Sequence, residues 1–157
     1  MTRLHGRAPR GQRLRASCPH GHWRTTTMIS SIRVDGSTAC MAVEAATDTE
    51  VFQAYVREFL CPTLRPGDLV VMDNLRPHKN ATTLALITAT GASARILPAY
   101  SPDLNPIEMM WSKVKASLRA AEARTHPDLL AAIGHALNRV TADDALHWFA
   151  ACGYSII

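Results

Sequence analysis

The stretch Leu69-Val70-Val71-Met72-Asp73-Asn74 decides how this chain is organised. Four apolar residues, preceded by a Pro66-Gly67 turn and closed by a carboxylate, read as a strand buried on both faces, the habit of a parallel sheet. Asp73 then stands at the strand's carboxyl end, where open α/β sheets place their sites. Downstream, residues 80–90 read as a modest helix ended by Gly91, and Ala94-Arg95-Ile96-Leu97 as a short strand ended by Pro98. A second decisive stretch follows, Leu97-Pro98-Ala99-Tyr100-Ser101-Pro102-Asp103-Leu104-Asn105-Pro106-Ile107-Glu108. Its prolines make a rigid loop that opens a helix from about Pro106 to Ala123.

Upstream, the β-branched run Thr25–Val34 reads as a strand, Asp35-Gly36 as a hairpin turn and Ser37–Glu44 as the returning strand. Asp48 caps a helix with Val51, Ala54, Tyr55 and Phe59 on one face, and Pro62 closes it. Two more helices are expected at about Pro127–Val140 and Ala142–Cys152. Hairpin, helix, strand, helix, strand, helix and extra helices describe an α/β domain: a mixed sheet with helices on both faces.

A length of 157 residues suits one domain, and 47% hydrophobic with 19% charged residues suits a globular one. No run approaches the roughly 18 apolar residues of a membrane span, and no apolar run makes a secretory signal of the amino terminus. A cytoplasmic location with no membrane partner follows by default. The net charge of +4 is asymmetric. Residues 1–34 hold seven arginines and no acid, leaving 10 basic against 13 acidic residues in the remainder. Guanidinium groups such as Arg7, Arg10 and Arg13 suit a phosphate backbone; a solvated arm is the plainer alternative. Four widely spaced cysteines suggest no disulfide framework. Cys18, His20 and His22 gather possible metal ligands, but no second cluster joins them to make a zinc site.

Asp73 and Glu108 lie 35 positions apart (108 − 73), room for one helix and one strand between them. Two carboxylates converging on rigid elements are what a hard divalent cation needs, since magnesium takes oxygen ligands and shares them with phosphate. Each acid also has a structural alternative. Asp73 can cap the following turn, and Glu108 can complete a capping box with Asn105, with Pro106 at the first helical position. On the helix itself, Ile107, Trp111, Val114 and Leu118 follow the helical period as core, and Ser112, Lys115 and Arg119 continue the Glu108 side.

The segment Asp73-Asn74-Leu75-Arg76-Pro77-His78-Lys79 and the loop from Leu97 to Glu108 together resemble the catalytic core of DDE-superfamily transposases, in particular the mariner-like insertion-sequence branch. The resemblance implies a ribonuclease H-like fold, here divided into a basic arm (1–22), a core (23–123) and carboxyl-terminal helices (124–157). It makes Asp73 and Glu108 the second and third catalytic acids and ligands of Mg2+ or Mn2+. It places His78, Lys79, Lys115 and Arg119 near DNA, and implies cleavage and strand transfer at transposon ends by a homodimer. The family's first aspartate ends a strand upstream of a segment resembling residues 1–11. The upstream acids present, Asp35, Glu44, Asp48, Glu50, Glu58 and Asp68, suit a turn, strand ends or a helix instead. The expectation is therefore a core truncated at its amino terminus, with little nuclease activity unless a polypeptide from an upstream reading frame completes it. The alternative is a non-catalytic DNA-binding or regulatory remnant.

Overall fold

A computed structural model describes residues 1–2, 5–15 and 25–155. The Cys18, His20 and His22 cluster, with Arg3 and Arg24, lies outside the described residues.

Strands β1 (Thr27–Ile32) and β2 (Thr38–Val43) form an antiparallel hairpin, with Thr27 opposite Val43 and Ile32 opposite Thr38. Its tip is built as the Asp35-Gly36 pair requires. The Asp35 carboxylate accepts from the Ser37 backbone N–H (2.9 Å) and hydroxyl (2.6 Å), and Gly36 takes φ +82°. A Cβ on Gly36 would lie 2.7 Å from the Thr141 carbonyl carbon, so the tip packs backbone to backbone against the start of the last helix.

Helix α1 (Thr49–Tyr55) starts where Asp48 accepts from the Val51 N–H at 2.8 Å. It continues through a π-helical turn (Val56–Leu60) into a 3-10 turn (Cys61–Thr63) containing Pro62. The inward stripe is Phe52, Tyr55, Val56 and Leu60, not the Val51, Ala54, Tyr55 and Phe59 face expected. The widened turn advances the stripe in steps of four and turns Phe59 outward, 38% exposed. Strand β3 (Leu69–Met72) pairs in parallel with β4 (Ser93–Ile96), and helix α2 (Ala81–Thr88), capped by Asn80, crosses between them. Helices α3 (Ile107–Ala121), α4 (His126–Leu137) and α5 (Ala142–Ala151) complete the chain.

Two apolar clusters hold these elements. One joins Phe52, Tyr55, Val56 and Leu60 to Met72, Ile87 and Ala92, with Ile29, Val70 and Ile96 packed on it. The other joins Met110, Val114 and Leu118 of α3 to Ile133 and Ala136 of α4, with Met28 and Ile32 packed on it. Neighbouring residues of β1 therefore serve opposite clusters, as the two-residue period of a strand demands. Helices α1 and α3–α4 thus lie on opposite faces of β1.

The continuous mixed sheet does not form. Among the described residues there are two two-stranded sheets, β1-β2 and β3-β4. For the same reason β3 is not buried throughout: Leu69 is 54% exposed and Met72 is the strand's buried residue. Among the described residues no strand pairs with the β3 edge opposite β4, and its apolar run is only partly covered. No helix among the described residues is long and apolar enough to cross a membrane.

Candidate active site

Between the edges of β1 and β3 runs a cavity of about 800 Å³. Residues 28–34 form one side wall and residues 69–73 the other. Phe52, Tyr55 and Leu60 cover it on the α1 side, and Trp111, Leu146 and Phe149 on the α3 and α5 side. Asp73 and Glu108 both line this cavity.

Asp73 follows the last residue of β3, with its side chain 44% exposed. Its Oδ1 accepts from the Leu75 N–H at 3.2 Å, a local turn that orients the carboxylate. The same oxygen lies 2.5 Å from His78 Nδ1, which also lies 3.2 Å from the Asp73 carbonyl oxygen. The His78 ring is packed on Phe52, centroids 4.3 Å apart, and its side chain is only 16% exposed. His78 is thus held inward against Asp73. The Asn74 side-chain oxygen beside it is buried and has no hydrogen-bond partner among the described residues.

Glu108 sits in the exposed first turn of α3. The capping box expected here does not form: the helix start has no side-chain cap, and the Glu108 N–H donates to the Asn105 carbonyl at 3.1 Å. The preceding 3-10 turn, Pro102–Leu104, leaves Asn105 extended, with its backbone carbonyl rather than its amide side chain at the helix start. The Glu108 carboxylate is therefore not occupied in capping. The loop that delivers it is pinned by Tyr154, whose hydroxyl donates to the Leu104 carbonyl at 2.9 Å. Tyr100, with φ 60°, stands fully exposed at the loop's tip.

The fully buried stripe of α3 is Met110, Val114 and Leu118, while Ile107 and Trp111, expected in the core, are half-buried, packed against that cluster and also lining the cavity. Lys79 is exposed in the 3-10 turn after Asp73. Lys115 and Ser112 are exposed and Arg119 half-buried on α3, outside the cavity wall. Arg7, Arg10 and Arg13 are exposed in a segment without helix or strand.

The far end of the cavity was not legible locally. Arg33, just after β1, donates to both oxygens of Asp68, just before β3, at 2.7 and 2.8 Å. The Arg33 guanidinium beside it, helped by the Arg65 N–H, holds Asp68 well below the usual carboxylate range, at about 2. These partners lie 35 positions apart, and Tyr154 lies 50 from Leu104, separations that no local pattern reports.

The donor chemistry can be set against a cation. Among the described residues no three His, Cys, Asp or Glu side chains group closely enough to hold a metal by themselves. The two carboxylates, hard oxygen donors partly open to solvent, fit magnesium, which is commonly bound by one or two carboxylates with water and substrate phosphate filling the remainder. They do not fit a closed structural zinc site.

A family model described as DDE superfamily endonuclease matches residues 1–130 of this chain. No curated protein matches it.

Proposed function

The chain belongs to the DDE superfamily of endonucleases, and on that premise we propose that it is a transposase catalytic segment of the mariner-like branch, acting on DNA with Mg2+ or Mn2+. Its core in this reading is ribonuclease H-like, with Asp73 and Glu108 as the metal ligands. One observation carries the proposal: two acids 35 residues apart open onto one cavity, and among the described residues neither has a lysine or arginine partner. When bound, Mg2+ would polarise the scissile phosphate and lower the proton affinity of an attacking hydroxyl or water.

The chain's own residues have defined tasks. Asp73 and Glu108 supply hard oxygen donors. His78 and the Leu75 N–H both meet the same oxygen of Asp73, Oδ1, which holds the carboxylate in place. The Asn105–Glu108 turn sets where the second acid leaves the helix start, through the Glu108 N–H bond to the Asn105 carbonyl. Lys79, Lys115 and Arg119, with Arg7, Arg10 and Arg13, supply phosphate contacts that position the duplex without reading its sequence. Transposon ends and target DNA are the substrates, and a homodimer is the expected working form.

Affinity for a short duplex, measured by fluorescence anisotropy with EDTA or Mg2+, tests the reading. The expected result is tighter binding with Mg2+, with the gain lost in Asp73→Asn and in Glu108→Gln. A gain that survives both substitutions would overturn it. Salt-sensitive binding indifferent to both Mg2+ and the substitutions would instead identify a non-catalytic DNA-binding fragment, the reading favoured by the exposed arginines alone.

A further inference from the structure

The loop between the two acids carries a large side chain that the fold does not use. Among the described residues Tyr100 is the most exposed of the large apolar side chains. Its backbone takes φ 60°, the left-handed region that costs a non-glycine residue free energy. A glycine would adopt that turn without strain, and an exposed ring contributes no burial to offset the cost. The loop is nevertheless held on both sides of its tip. The Leu97 N–H donates to the Met72 carbonyl at 2.8 Å, and the Tyr154 hydroxyl donates to the Leu104 carbonyl at 2.9 Å. Pro98 and Pro102 fix their own φ angles between those two anchors. Met72 adjoins Asp73, and the loop runs on into Glu108. Tyr100 is three residues beyond Leu97, a span of at most about 10 Å. Its ring therefore stands near the Asp73 end of the site, outside the cavity wall. Arg76 and Lys79 are exposed in the turn that follows Asp73.

We propose that Tyr100 is a stacking platform for one unpaired DNA base close to the phosphate held at Asp73 and Glu108. A reach of about 10 Å at about 3.4 Å per nucleotide step places that base within about three nucleotides of the phosphate. Bases inside a duplex cover one another's faces, so only an unpaired base has a face to offer. An aromatic ring accepts any base, because every base has a π face, and the contact therefore selects unpaired structure rather than sequence. Arg76 and Lys79 suit the flanking phosphates, which position a strand without reading it. A protein partner fits less well. A stable protein interface needs about 1,000 Å² or more, and Ala99 and Ser101 add little apolar area to the lone ring. Because the loop is held before DNA arrives, little ordering is lost when the base docks. The position beside a bound phosphate rests on the function proposed above; the exposed, strained ring does not.

Fluorescence anisotropy on the intact chain, in EDTA and in Mg2+, tests this with three labelled probes. They are a blunt hairpin duplex, the same duplex with a short single-stranded overhang, and that overhang made abasic. The overhang with bases is expected to bind about tenfold more tightly than the abasic one. Tyr100→Ala abolishes the difference and Tyr100→Trp retains it. A 2-aminopurine in the overhang is quenched on binding the native chain and stays bright on Tyr100→Ala. The urea midpoint of Tyr100→Ala stays native because the ring packs on nothing, so a lost preference is not lost folding. A preference for bases that survives Tyr100→Ala overturns the platform. So does self-association that Tyr100→Ala abolishes and the overhang cannot displace, which would identify a contact between copies. A gain from Mg2+ on the blunt duplex without any preference for bases overturns the platform and leaves the metal reading standing. A Tyr100-dependent preference without that gain upholds the platform and overturns the metal reading.

Discussion

The two ends of the cavity treat their acids in opposite ways. At the Asp68 end a carboxylate faces a guanidinium in a two-point contact, 2.7 and 2.8 Å, with both side chains more than two-thirds buried. At the Asp73 end one acid has an imidazole for a neighbour and the other stands in an exposed helical turn. Asp144 follows the first pattern: it is paired with Lys113 and completes a capping box with Thr141, and its pKa is held at about 2. Asp68 and Asp144 each have a cation beside them, Arg33 and Lys113. Among the described residues Asp73 and Glu108 have no lysine or arginine partner, which leaves room there for a cation from solution.

The contrast breaks most visibly at the hairpin tip that abuts the Asp68 end. Gly36→Ala forces a Cβ to within 2.7 Å of the Thr141 carbonyl carbon at a φ of +82°. A loss of about 3 kcal/mol is expected in urea unfolding, since strained backbone and a backbone clash add. The next largest effect is expected from Arg33→Met, which leaves Asp68 with only the Arg65 N–H (2.7 Å). That substitution should cost about 2 kcal/mol, because a half-buried charge loses its partner. The opposite end should respond otherwise: Asp73→Asn changes stability by no more than about 0.5 kcal/mol, as no cation is orphaned. The Mg2+ gain in DNA affinity, expected to be about tenfold or 1.4 kcal/mol, disappears in the same variant. Equal destabilisation by Arg33→Met and Asp73→Asn would erase the distinction.

Acid titration sharpens it. Asp68 and Asp144 are ionised in the folded chain down to about 2, below their ordinary 3.8. Each therefore contributes stability that is full above 3.8 and is lost as pH falls through about 2, of order 1 kcal/mol apiece after screening. Melting temperatures measured between pH 5 and pH 2 should fall in the native chain, and fall less steeply in Arg33→Met, whose Asp68 has lost the main cause of its low value.

What the sequence made legible was local or periodic. The apolar run 69–72, the Asp35-Gly36 turn, the Asp48 cap and the proline-led start of α3 each depend on residues within a few positions. What it obscured depended on contacts far along the chain. Ile107 and Trp111 satisfy the helical period as well as Met110 does, and only the placement of α4 decides which stripe is buried. Phe52 could not be seen as the platform under His78, because 26 residues and a strand separate them. The capping box was a valid local pattern that lost to the Pro102–Leu104 turn, which presents the Asn105 backbone carbonyl to the helix instead.

Tyr154 gives the finest test of how the open end is built. Its hydroxyl donates to the Leu104 carbonyl at 2.9 Å, and its ring meets Phe149 edge-on, centroids 5.6 Å apart. Tyr154→Phe keeps the ring contact and removes one hydrogen bond at the surface, so the global cost should be about 0.5–1 kcal/mol. Leu104 stands four residues before Glu108, in the 3-10 turn that ends at the extended Asn105. Releasing that turn should therefore show as faster amide exchange at Leu104, Asn105 and Glu108, whose N–H bonds close it. Exchange at Val70 and Met72, in the β3–β4 pairing, should not change. If the β3 amides accelerate equally, the two acids share one mechanical unit. If only the loop responds, Asp73 is fixed by the sheet and Glu108 by the segment that follows α5, and the site is assembled from two independently held halves.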